Sequence, residues 1–140
     1  MAIMKIVRVT EDTRFRIEYP WFAKNGQDVN VLIAKCLTQE QLDALGDTPL
    51  GDTFDHVDAE TGEISEVTRA MQIIRDQRAG DADFITKGTP VAEAAFRAFL
   101  VNNNSPLSAR DLAARIGRTP KEIIDRLGGR IVYNGIKPLM

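Results

Sequence analysis

The chain has 140 residues, 44% apolar and 27% charged, with a formal net charge of −2. This composition fits one ordinary globular domain, or two very small ones sharing a core, and excludes whole-chain disorder. No apolar run nears the ~20 residues of a membrane span, and the N-terminal residues lack the pattern of a secretory signal. The one cysteine, Cys36, cannot form an intramolecular disulfide, so a cytoplasmic location is expected. One cysteine and one histidine are too few for a closed zinc site, and no glycine-rich phosphate loop is present. No enzyme, cofactor or metal is therefore expected.

Residues 5–9 and 13–19 read as strands. The second alternates Phe15, Ile17 and Tyr19 with Arg14, Arg16 and Glu18. Glu11-Asp12 between them supplies a tight turn, so an antiparallel hairpin is expected. Pro20 ends the second strand because it lacks an N–H for the ladder. Trp21 and Phe22 follow, either as an exposed partner contact or as closure for the edge of a core. Residues 29–36 are rich in Val, Ile and Leu and read as a buried central strand, which makes Cys36 a small core residue. Thr38 and Gln41 form a capping box for a short helix that Gly46 stops. Residues 53–58 and 63–65 suggest a second hairpin around 59–62.

A longer helix is expected from Ser65 to about residue 77 or 78, with Val67, Ala70, Met71 and Ile74 on one face. His56 stands among Asp55, Asp58, Glu60 and Glu63. Those residue types suit a metal cluster, but an acidic, solvated hairpin tip explains them better and is the reading adopted. Residues 81–87 serve as a linker, with Phe84 and Ile85 expected to anchor it.

Charge divides unevenly across the chain. Residues 1–86 hold nine Lys/Arg against sixteen Asp/Glu, a balance of −7; residues 87–140 hold nine against four, a balance of +5. A basic half suits a polyanionic partner. In this half Thr89-Pro90 opens a helix that ends at Asn102-Asn103-Asn104. Ser108 caps a second helix, stopped by Gly117, and Thr119, Pro120 and Glu122 open a third. Gly128-Gly129 ends the third helix, and Asn134-Gly135 signals a short hairpin over residues 130–139.

Residues 107–127, with Leu112-Ala113, Ile116-Gly117 and Thr119-Pro120 at their positions, resemble the helix-turn-helix of the winged-helix superfamily, and residues 130–139 resemble its wing. The resemblance covers residues 88–140. It implies that the third helix enters the major groove of double-stranded DNA and that the wing touches the backbone. Thr119, Lys121 and Arg126 would face DNA from the turn and third helix. Arg110, Arg115 and Arg118 would flank it, with Arg130 and Lys137 on the hairpin. The third helix also carries Glu122 and Asp125, so its outward charges sum to zero.

The expected fold is α+β. An acidic unit at residues 1–80, a small antiparallel sheet with one or two helices, makes a homodimer or binds a protein partner, with Trp21 and Phe22 as contacts. The winged helix follows at 88–140. The function expected is DNA binding in the regulation of transcription or replication. The alternative is a non-catalytic adaptor whose winged helix mediates protein–protein contacts, since that fold serves both uses.

Overall fold

The computed structural model describes residues 8–46, 53–57 and 64–139. In chain order the elements are β1 (Arg14–Ile17), α1 (Pro20–Lys24), α2 (Val29–Ala34), α3 (Gln39–Leu45), β2 (Thr53–Val57), β3 (Ile64–Thr68), α4 (Arg69–Ile73) continued by a π-helical turn (Ile74–Arg78), α5 (Val91–Val101), β4 (Leu107–Ser108), α6 (Ala109–Ile116), α7 (Pro120–Leu127) and β5 (Ile136–Leu139). Helix and strand are thus mixed, with a small antiparallel sheet of order β4-β1-β5 and a separate β2-β3 pair.

The sheet joins the two ends of the chain. Phe15 stands opposite Leu107 on one side and Pro138 on the other, and Ile17 stands opposite Ile136. The alternation of β1 puts Phe15 and Ile17 into the core and leaves Arg14 and Arg16 outside, as the sequence pattern requires. Both edges of β1 are therefore taken. This overturns the hairpin expected between residues 5–9 and 13–19, where residues 5–7 lie outside the described part of the chain.

Glu18 N–H donates to the Gly135 carbonyl at 2.8 Å, which sets the phase of the β1–β5 ladder. In that phase Lys137 and Leu139 turn their backbone groups to β1. Pro138 turns its missing N–H to the open edge, the position at which a strand tolerates proline. On the other side β4 is only two residues long. Asn104 supplies a further rung: its Oδ1 accepts from Ile17 N–H at 2.8 Å and its Nδ2 donates to Ile17 O at 2.9 Å.

The expected hairpin over 130–139 is also corrected. Its turn forms, with Asn134 at φ 53 and Gly135 at φ 71, but only Tyr133 and Ile136 pair across it. The strand that pairs along the length of β5 is β1. Gly135 has a second reason to lack a side chain: a Cβ there would lie 2.6 Å from Phe22 Cε2.

Residues 29–36 form no strand. Asp28 caps α2 by accepting from Asn30 N–H at 2.9 Å. Val29, Leu32, Ile33 and Cys36 fall at i, i+3, i+4 and i+7, a helical stripe packed on the core, while Val31 between them is 56% exposed. The capping box at Thr38 and Gln41 forms as expected, and α3 stops at Gly46. The helix expected from Ser65 starts later, at Arg69. Residues 64–68, with Ile64, Val67 and Thr68 among them, pair with β2 instead. Ala70 and Ile74 are buried, as their spacing predicts.

Residues 81–87 are tied to the rest of the chain through Phe84. Phe84 is buried, with two guanidinium groups near its ring, Arg78 at 5.2 Å and Arg97 at 5.4 Å from its centre. Arg97 donates to the Phe84 carbonyl. Arg78, itself buried, donates to the Cys36 carbonyl and pairs with Asp81 and Asp83. The buried cluster runs without a break from Phe22, Ile33 and Ile74 to Phe99, Leu112 and Ile123. One core thus spans the boundary drawn between residues 1–80 and 88–140.

Helices α6 and α7 follow the sequence closely. Ser108 accepts from Asp111 N–H at 3.0 Å, and Gly117 takes the left-handed conformation at φ 70. Thr119 accepts from Glu122 N–H at 3.2 Å. Thr89 does not cap α5: its hydroxyl turns back to accept from Thr86 N–H at 3.0 Å.

Candidate nucleic-acid interface

Helix α7 is held by Ile123 and Leu127, both buried, and by half-buried Ile124. Its opposite face carries Lys121, Glu122, Asp125 and Arg126, all exposed. A shallow groove of about 450 Å³ runs beside it, with Val91 of α5, Arg118 and Tyr133 in its lining.

The cations singled out in the sequence meet different fates. Lys121 bonds Asp125 one turn on at 2.7 Å, and this hydrogen bond and charge hold the lysine above its ordinary pKa. Arg126 lies over the Tyr133 ring at 5.3 Å. Arg118 is drawn inward: it donates to the carbonyls of Lys87 at 2.9 Å and Thr89 at 2.6 Å, and stands 3.5 Å from Glu122. It fastens the turn to the start of α5. Thr119 is committed to its capping bond, and its hydroxyl also lies 3.2 Å from Glu122 Oε1. Arg110 pairs with Glu11 at 2.8 Å and Asp12 at 3.6 Å.

Arg115 and Arg130 are exposed and have no ion pair among the described residues. Arg115 borders a small depression with Phe84 and Ile85, on the side of residues 81–87. Lys137 lies on β5 directly opposite Arg16. Of the eight residues, Arg110, Arg118, Thr119 and Lys121 thus have polar partners within the chain.

Sequence reasoning passed over Arg14 and Arg16. The signal was present in the alternation of residues 14–19: once Phe15 and Ile17 are inside, both arginines must face out. Their neighbour Lys137, more than a hundred residues away in sequence, becomes visible only through strand register.

Trp21 and Phe22 close the core. Phe22 is buried against Phe96, with ring centres 6.4 Å apart, and Trp21 stacks edge-on to Phe22 at 5.1 Å. Phe22 is thus not accessible as a partner contact. Cys36 is buried; burial pushes its thiol pKa up, against the opposing charge of Arg97. His56 lies on β2, in register with Ser65. Asp58, Glu60 and Glu63 fall outside the described residues, among which no group of three or more His, Cys, Asp or Glu is placed to hold a metal. No helix among the described residues is long and apolar enough to cross a membrane.

Comparison with protein-family models, curated proteins and solved structures found no match to this chain.

Proposed function

We propose that the chain is a non-enzymatic DNA-binding protein that acts in the regulation of transcription or replication and uses residues 88–140 as a winged helix on duplex DNA. The observation that carries this reading is the presentation of α7. A three-residue turn sets it on α6, only Ile123, Ile124 and Leu127 pack it inward, and its whole opposite face is open. That is the disposition by which a recognition helix reaches a major groove.

A second reading, an adaptor docking another protein through the same unit, draws on a specific observation as well. The charges on α7 pair locally, Lys121 with Asp125 and Arg118 with Glu122, so the face offers little field to a polyanion.

Fluorescence anisotropy with a labelled random-sequence duplex, at low and at moderate salt, separates the two. The DNA reading expects micromolar or tighter binding that collapses as salt rises. Absence of binding at low salt rejects it in favour of the adaptor.

A further inference from the structure

Three cations from opposite ends of the chain meet on the outer face of the sheet. Arg14 and Arg16 project from β1 on the side away from Phe15 and Ile17. Lys137 of β5 stands directly opposite Arg16, and Arg14 has Ser108 of β4 on one side and half-buried Leu139 of β5 on the other. Arg14 and Arg16 are about 6.8 Å apart along the strand, and Lys137 is about 5.5 Å across from Arg16 by backbone spacing. Glu18 is the acid on this face, and it bonds Arg16 at 3.0 Å. Arg14 and Lys137 have no ion pair among the described residues. The acids of the preceding turn, Glu11 and Asp12, are engaged with Arg110.

Like charges placed directly across a strand pair oppose folding, and Glu18 beside Arg16 offsets that repulsion; three cations against one acid leave the face net positive.

We propose that this face, Arg14, Arg16 and Lys137, is a docking platform for the phosphate backbone of duplex DNA. The inference rests on the DNA-binding reading and adds to it that the salt-dependent contact comes from the sheet rather than from α7. The occupant follows from the chemistry of the face. It is cationic and hydroxyl-bearing, which suits phosphate oxygens. Among the described residues, the strands place Arg14, Arg16, Glu18, Ser108, Lys137 and Leu139 on it, none of them an aromatic on which the bases of a single strand would stack.

The test measures duplex affinity by anisotropy over a salt series for the wild type, R14Q/R16Q/K137Q, K121Q/R126Q and E18Q, each shown by circular dichroism to fold and melt alike. Glutamine keeps side-chain bulk while removing charge. The sheet triple variant is expected to flatten the slope of log affinity against log salt by about 2 to 3, at ~0.9 for each phosphate left unneutralised. K121Q/R126Q is expected to change it by less than about 1. E18Q frees Arg16 and is expected to tighten binding several-fold, a gain that a merely structural role for the face would not give.

An unchanged slope in the triple variant, with normal wild-type binding, overturns the platform and leaves the DNA reading standing. Tighter wild-type binding to a single strand than to the duplex overturns the choice of occupant. Absence of wild-type binding to the duplex overturns the DNA reading and the platform together.

Discussion

The outward face of α7 and the outer face of the β4-β1-β5 sheet both carry charge, and they carry it differently. On α7 the charges sit one turn apart and of opposite sign. Lys121 bonds Asp125, and Glu122 stands beside Arg118, whose guanidinium is already spent on two carbonyls. On the sheet, exposed Arg14 and half-buried Lys137 have no paired acid among the described residues, beside the single Arg16–Glu18 pair. The difference shows why a charge count along a sequence is not a field. A paired cation must give up its partner before it meets a phosphate, and the exchange gains little. An unpaired cation neutralises the phosphate and releases its counterions directly.

The sheet presents a fixed face only if β1 is an integral strand rather than an arm laid on the surface, and Phe15 tests that with the largest effect. Its ring is fully buried between Leu107 and Pro138 on neighbouring strands. Phe15→Ala is expected to cost about 3–5 kcal/mol in urea unfolding, with one transition for the whole chain. A loss below about 1 kcal/mol, or two separate transitions, would detach β1 from the core.

Tyr19, just after β1, gives the next effect. Burial raises its pKa from 10.0 to about 12, against the lowering influence of Arg75. The folded state therefore keeps the phenol proton where the unfolded state loses it. This stabilisation is fully present below about pH 10 and is lost as pH rises towards 12, a swing of about 2 kcal/mol. Tyr19→Phe should remove that part of the alkaline loss, seen as a shallower fall in stability from pH 9 to 11 than in the wild type. Curves that run parallel would place the hydroxyl in water.

Asn104 holds the last rung of β1, with two bonds to Ile17. Asn104→Ala is expected to cost about 1–2 kcal/mol, because both backbone groups of Ile17 are left without their partner. Exchange of the Ile17 amide hydrogen, followed by NMR, should accelerate with it. Unchanged protection would mean that this rung is closed by another group.

Much of this was legible in the sequence, and what was missed has a physical cause. The capping signals at Thr38, Ser108 and Thr119 are local, and each forms where the residues place it. The alternation of residues 14–17 is local too. Partner choice is not: nothing within residues 5–19 or 130–139 says that β1 pairs with β5 rather than with its neighbours in sequence. Val29 to Cys36 misled because β-branched residues favour strands, while Asp28 and the i, i+3, i+4, i+7 stripe carried the opposite and decisive message. Of the candidate site, the cations were visible as residue types, but not their partners. Arg118, Lys121 and Arg110 read as free charges until the carbonyls and carboxylates beside them are known.

The smallest effect is also the most direct probe of the two faces. Asp125→Asn releases Lys121 and removes a negative charge from α7, while leaving the buried side of the helix intact. The pair is solvent-exposed at one-turn spacing, so thermal melting should not move measurably. Were α7 the contact surface, duplex affinity would rise several-fold and the salt slope would steepen by about 1. With the sheet as the contact, Lys121 gains no phosphate, the altered charge acts only through solvent that screens over ~10 Å at 0.1 M salt, and affinity should shift by less than about two-fold. The second outcome is the expected one. A several-fold rise would move the salt-dependent contact back to the helix, even though its charges are paired in the free protein.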